Sequence, residues 1–262
     1  MSGTLQSNKN IDAAPRSRGT RAPRSAERVA DEPAFVLHRH AWKETSLLLD
    51  VFTRAHGRLA VIAKGAKRPH SALRSTLVNF QPLTVSYSGR GEVRTLARAE
   101  WVGGSAPLTG PALLGAFYCN ELLMRLLARE DAHPALFDAY LHTLVQLQQQ
   151  PGEIEPALRV FELSLLTEVG LMPPLHVEGG SGAPVQPELL YSVTPEGVLP
   201  VAGAQGDAPQ LEGRYLLALA AQHWAEPGLL VRAKAVMRML FAYHLGHVPL
   251  KTRQLLIDLH NL

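Results

Sequence analysis

The chain has 262 residues, 46% hydrophobic and 19% charged, enough for one large or two small domains with a buried core. No apolar run approaches the ~18 residues of a membrane span, the charged N-terminus lacks the apolar stretch of a secretory signal, and Cys119 as the single cysteine excludes an intrachain disulfide and a multi-cysteine zinc site. The net charge of +3 is unevenly spread: residues 1–30 carry +4, residues 33–100 carry 11 Lys/Arg against four acids, and residues 101–262 carry nine against 15. A basic front on an acidic body points to a polyanionic partner for the front.

Residues 1–32 hold Gly, Ser, Pro, Ala and Arg with almost no large apolar side chains. Burial there cannot offset the ordering entropy, so the segment reads as a disordered basic tail that adds loose phosphate contacts. Residues 33–105 read as a five-stranded domain. The strands are Phe35–Arg39, Thr45–Thr53, Arg58–Lys64, Leu83–Tyr87 and Glu92–Trp101. His56-Gly57 and Ser88-Gly89-Arg90-Gly91 supply turns. In the last strand, alternation puts Arg94, Leu96, Arg98 and Glu100 on one face and Val93, Thr95, Ala97, Ala99 and Trp101 on the other. Ser71–Val78 forms a short helix between the third and fourth strands. Five strands with a helix after the third match a small barrel of the OB type.

From Pro111 the apolar period changes from two to 3.6. Helices are expected over 110–129, from His133-Pro134, and from Pro156 with Gly170 as left-handed cap. Residues 171–212 read as an irregular segment with one hairpin, Leu189–Val193 against Gly197–Val201. Helices follow over 213–225, 228–245 and 252–260. The fold class is therefore α+β: an N-terminal OB barrel followed by an α-helical domain over 106–262.

Catalytic signatures fail on spacing. Ala63-Lys64-Gly65-Ala66-Lys67-Arg68 lacks the GxxxxGK[ST] pattern that surrounds phosphates, and Gly179-Gly180-Ser181-Gly182-Ala183 lacks the last glycine of a nucleophile elbow. Cys119 lies among apolar helical residues and reads as core. His244 and His247 stand where a helix is ending, so they read as ordinary histidines rather than ligands. Glu162 and Glu168 read as part of a solvated helix face, and no carboxylate pair stands out for acid–base work. The chain is expected to be no enzyme and to need no cofactor.

The signal that rises above background is cationic. Arg39, Lys43, Arg54, Arg58, Lys64, Lys67, Arg68, Arg74, Arg90, Arg94 and Arg98 fall on strands and connecting loops of one small barrel. Such a surface binds a phosphate backbone by releasing counterions. Phe35, Phe52 and Phe80 read as core; Trp42, placed in a loop between Arg39 and Lys43, is the preferred base-stacking candidate over Tyr87 and Trp101. Tight, salt-dependent binding is expected of residues 33–102 alone, with Lys64→Glu or Arg58→Glu weakening it for all sequences. An RNA-binding or ribosome-associated OB module is the alternative, separable by DNA against RNA competition. An adaptor whose basic face binds an acidic protein is a third reading.

Several stretches taken together resemble the RecO family. They are Ala34-Phe35-Val36-Leu37-His38, Lys43–Thr53 (KETSLLLDVFT), His56-Gly57-Arg58-Leu59, Val61–Arg68 (VIAKGAKR), Gly89–Val93 (GRGEV), Asn120-Glu121-Leu122-Leu123, Glu155–Glu162 (EPALRVFE) and Pro249–Arg253 (PLKTR). The resemblance covers about 33–258. It implies a bacterial, nucleoid-associated cytoplasmic protein that binds single- and double-stranded DNA, anneals strands and helps load recombinase onto coated single strands. It implies RecR and the acidic C-terminal tail of the single-strand DNA-binding protein as partners. Lys64 matches a basic residue linked to DNA binding, and Arg159 an arginine linked to the tail, whose terminal carboxylate a guanidinium can grip bidentately. Many members carry a four-cysteine zinc module where this chain has His176-Val177-Glu178-Gly179-Gly180, so zinc is not expected and packing must hold that segment.

Overall fold

A computed structural model describes residues 27–103, 106–201, 208–246, 249–252 and 254–255. Five strands, β1 (Arg28–Trp42), β2 (Ser46–Thr53), β3 (Gly57–Ala63), β4 (Leu83–Ser88) and β5 (Val93–Trp101), close into a barrel in the order β1-β2-β3-β5-β4. All pairs are antiparallel except β3 with β5, and the short helix α1 (Ala72–Thr76) crosses between β3 and β4. This is the expected barrel of the OB type.

Alternation builds its interior. Ala34 and Val36 of β1, Leu49 and Val51 of β2, Leu59, Val61 and Ala63 of β3, and Leu83, Val85 and Tyr87 of β4 pack together inside the barrel. The residues between them are also apolar. Phe35, Leu37 and Phe52 point outward and join a second, larger core made by the helices. Burial on both faces explains the unbroken apolar runs in β1 and β2.

That second core belongs to α2 (Gly110–Leu126), α3 (Pro134–Gln149), α4 (Ile154–Glu168), a three-stranded sheet of β6 (Leu190–Thr194), β7 (Gly197–Pro200) and β8 (Gln210–Glu212), and then α5 (Gly213–Ala220) and α6 (Leu229–Leu245). Among the described residues no helix is long and apolar enough to cross a membrane. The joint between the two cores is aromatic and polar at once. The Phe35 ring lies 5.3 Å from Phe137 and 5.0 Å from Tyr140. A bulge at Leu37, between the β1–β2 pairs Val36–Val51 and His38–Asp50, frees its carbonyl. That oxygen accepts the side-chain amides of Asn79 and buried Asn120, each at 2.9 Å, and Asn120 Oδ1 accepts the buried Tyr140 hydroxyl.

Several local expectations change. Residues 28–32, assigned to a disordered tail, are strand: Arg28 and Val29 pair with Ser88 and Tyr87 of β4. The strand lacks apolar alternation there, so pattern alone missed it; residues 1–26 lie outside the described residues. Trp42 is the last residue of β1, opposite Ser46, and not a loop residue. The helix expected from Pro156 starts at Ile154, and the one expected over 213–225 stops at Ala220. Within 171–212 the expected hairpin forms, but β8 adds a third strand on the far side of β6. Tyr191, Val193, Val198 and Leu211 of this sheet are buried in the helical core. Of the expected last helix, Thr252, Gln254 and Leu255 are helical, and 256–260 lie outside the described residues.

Candidate nucleic-acid interface

The barrel's cations divide between its two ends. The sequence reading placed them on one surface, and the structure corrects this. β2 runs from one end to the other, so residues beside Ser46 and those beside Thr53 are separated by its whole length.

The first group surrounds the β1–β2 turn, the segment after β3, and α1. The β2–β3 register sets Leu47 opposite Ala63, which carries Lys64 to the β1–β2 turn. Lys67 is fixed there twice: its backbone N–H donates to Thr45 O at 2.9 Å and its Nζ to Lys43 O at 3.3 Å. Arg39 donates to Leu77 O at 3.1 Å, at the end of α1. Lys43, Lys64, Arg68 and Arg74 are exposed and form no ion pair among the described residues. Carbonyl oxygens orient Arg39 and Lys67 without cancelling their charge, so all six cations face solvent as cations. His38 and His40, with ring centroids 4.1 Å apart, lie on the same strand. Desolvation, then His40, holds the His38 pKa below its usual value.

The second group is engaged by the helical domain. Arg54, at the β2–β3 turn, donates to both carboxylate oxygens of Asp138 on α3, at 3.0 and 2.8 Å. Arg94 donates to Gly89 O and Gly91 O, each at 3.1 Å, and to Glu130 at 2.8 Å. Arg58 donates to Leu127 O from Nε and Nη2 at 3.2 and 3.0 Å. Its Nη1 stands 3.5 Å from the buried carboxylate of Asp50, which also pairs with Arg129 at 3.0 Å. Burial, then Arg129, presses the Arg58 pKa below the usual guanidinium value, and Asp50 opposes them. Arg58 thus ties the barrel to the segment after α2. Arg90 stands exposed on the β4–β5 turn.

A bulge in β5 also separates residues that alternation put together. The β4–β5 register steps from Ser86–Arg98 to Tyr87–Leu96, leaving Ala97 without a partner. Leu96 and Ala99 therefore both face the barrel core, while Arg98 points out and pairs with Glu100 at 2.7 Å.

The remaining chemistry lies in the helical domain. Arg159 is 8% exposed and Glu162 only 1%, which overturns the reading of Glu162 as part of a solvated face. Arg159 Nη2 donates to Glu162 Oε1 at 2.7 Å, and the Tyr118 hydroxyl donates to the same oxygen at 2.6 Å. Arg159 Nε and Glu162 Oε2 are buried and find no partner among the described residues. Burial raises the Glu162 carboxyl to about 6, against the opposing pull of Arg159 and Tyr118. Cys119 is fully buried and burial drives its thiol pKa well up, as expected of a core cysteine. His244 is half-buried near the C-terminal end of α6, and His247 lies outside the described residues. Among the described residues no group of His, Cys, Asp or Glu could hold a metal ion.

Two family models match, described as recombination protein O N terminal over residues 28–105 and recombination protein O C terminal over 108–254. The chain is 50% identical to "DNA repair protein RecO" of Ralstonia nicotianae, covering 95% of this chain and 92% of that one. It is 53% identical to the protein of the same description from Polynucleobacter asymbioticus, over 88% and 97% of the two chains. The Aromatoleum aromaticum relative, also so described, is 47% identical over 90% and 98%.

Proposed function

The chain belongs to the RecO family of DNA repair proteins, and on that premise we propose that it is a non-enzymatic mediator that binds DNA through the end of the barrel carrying Arg39, Lys43, Lys64, Lys67, Arg68 and Arg74. The observation that carries the reading is the asymmetry between the two ends. At one, Asp138, Glu130 and Asp50 hold Arg54, Arg94 and Arg58, while Arg90 stands exposed on its turn. At the other, the cations are oriented by carbonyls or stand free of carboxylates. A phosphate backbone is the anion that such a surface lacks. Two strands held on one cationic surface lose their mutual repulsion, which is how the surface would promote annealing without bond chemistry. Contacts to phosphate carry no sequence information, so base preference should be small.

RecR and the acidic tail of the single-strand DNA-binding protein follow as proposed partners from family membership. Arg159 is the proposed tail contact. Its buried Nε is a vacant donor, and Glu162 beside it is the carboxylate that an incoming one would displace.

The test uses the full chain. Phe35, Leu37 and Phe52 belong to the helical core, so a fragment of residues 33–102 would expose them and the isolated barrel is the wrong reagent. Binding of labelled oligonucleotides is followed by anisotropy against salt. Lys43→Glu, Lys64→Glu and Arg74→Glu should each weaken binding for every sequence and flatten the slope of log K on log salt by about one unit. Arg54→Ala should leave both unchanged. Equal effects at the two ends would refute the assignment. Arg58→Glu is no measure of DNA contact, because it places a carboxylate against Asp50 and removes the tether to Leu127.

A further inference from the structure

We propose that Trp101 is a base-stacking platform for single-stranded nucleic acid, held edge-on beside Arg39 at the end of α1; this rests on the DNA-binding reading above. Trp101 is the last residue of β5 and remains 52% exposed. Its indole is nevertheless fixed: Nε1 donates to Thr76 O at 2.9 Å. Arg39 donates to Leu77 O at 3.1 Å. The indole edge and the guanidinium thus grip two successive carbonyls, which makes them neighbours although 62 residues apart in sequence. Arg74, exposed and free of ion pairs among the described residues, lies on the same short helix two residues before Thr76.

This geometry suits one ligand chemistry. The hydrogen bond uses the polar edge of the indole while the residue stays 52% exposed, so that a nucleobase can offer it a complementary π-face. Fixing the ring in advance removes much of the ordering entropy that a free side chain would lose on binding. Arg39 keeps its charge because its partner is a carbonyl, so it can meet the phosphate that follows a stacked base. A base inside a duplex already has both faces covered by its neighbours. Trp101 therefore distinguishes single from double strands, whereas the cations around it bind both.

Two variants of the full chain test this. Trp101→Ala removes the ring, while Trp101→Phe keeps a stacking face but loses the tether to Thr76. Trp101→Ala should weaken binding of an oligo-dT single strand roughly 10-fold and of a duplex of equal length less than about 2-fold. Trp101→Phe should recover part of the lost affinity, with the remainder reflecting the lost tether. The chain has three tryptophans, Trp42, Trp101 and Trp224, so oligo-dT should quench the emission of the wild-type protein, and Trp101→Phe should remove the larger part of that quenching. Equal loss for single and double strands would overturn the proposal, because it would make Trp101 a brace for α1. Unchanged single-strand affinity in Trp101→Ala, with Lys43→Glu still impaired, would overturn it while leaving the cationic interface intact. Absence of binding by the wild-type chain would remove both.

Discussion

Asn120 ties the helical core to β1 through the Leu37 carbonyl and to α3 through the Tyr140 hydroxyl, and removing its amide tests that joint. Asn120 is 3% exposed and Tyr140 fully buried. Asn120→Leu keeps the branched heavy-atom skeleton of the side chain but removes both hydrogen bonds of the amide. The Leu37 carbonyl retains Asn79 as donor, so the main loss is the Tyr140 hydroxyl, left without an acceptor in an apolar core. A buried orphan of this kind costs about 1–3 kcal/mol, and the net value of the bond to Leu37 adds about 1 more, giving about 2–4 kcal/mol. At roughly 2–4 °C per kcal/mol for a chain of this size, the melting temperature should fall by about 4–16 °C. Asn120→Leu combined with Tyr140→Phe removes the orphan as well as its partner. The double variant should therefore be more stable than Asn120→Leu alone, because two matched apolar groups can replace a buried pair at little cost. Calorimetry and urea unfolding of the two single variants and the double one close the cycle. A double variant as unstable as the sum of the singles would refute the hydrogen-bond accounting. It would leave shape as the reason for the residues at this joint.

Two further outcomes follow from local geometry. Gly57 has φ +67, and a Cβ built on it would stand 1.9 Å from the Asp131 carbonyl oxygen; Gly57→Ala should destabilise by more than about 4 kcal/mol or prevent folding, read by circular dichroism, and a folded variant of near-normal stability would refute the close approach. Burial raises the Glu162 carboxyl from 4.5 to about 6, so the folded chain holds that proton more tightly than the unfolded one. The contribution is complete below about 4.5 and disappears as the pH rises through about 6, a loss of about 2 kcal/mol. Stability curves of the wild-type chain and Glu162→Gln should diverge across that window, and parallel curves would show that the carboxyl is not desolvated.

Sequence patterns were sufficient where one rule governed a segment. Alternation located four of the five barrel strands closely, and the change of period at Pro111 located the helical domain. They failed where tertiary partners decide. Arg28–Glu32 reads as tail because only Val29 among them is a large apolar residue; pairing with β4 makes it strand. Ala97 reads as one more alternating residue, and only the register against β4 reveals the bulge. Arg54, Arg58 and Arg94 look like the other cations in sequence. What distinguishes them are carboxylates and a carbonyl contributed by residues 36 to 84 positions away. In sequence, Arg39 and Lys43 flank Trp42 and make it the favoured stacking candidate, whereas Arg39 reaches Trp101 only through the end of α1.

The division of charge gives the helical domain a part in selecting the DNA surface. Its excess of acid is concentrated partly where it meets the barrel: Asp138 covers Arg54 and Glu130 covers Arg94. Both acids are exposed, so the pairs hold the domains together only weakly. Their main effect is then on the potential at that end, which they bring towards neutrality and so leave the opposite end as the more attractive one for a polyanion. Asp138→Asn together with Glu130→Gln tests this. Arg94 should stay in place, because the Gly89 and Gly91 carbonyls still hold it, while Arg54 becomes free. Each newly available cation that meets a phosphate should steepen the slope of log K on log salt by about one unit. Duplex affinity should rise more than single-strand affinity, since this end carries no exposed tryptophan among the described residues. An unchanged slope would show that DNA never reaches this end, and that the acids serve only to position the barrel.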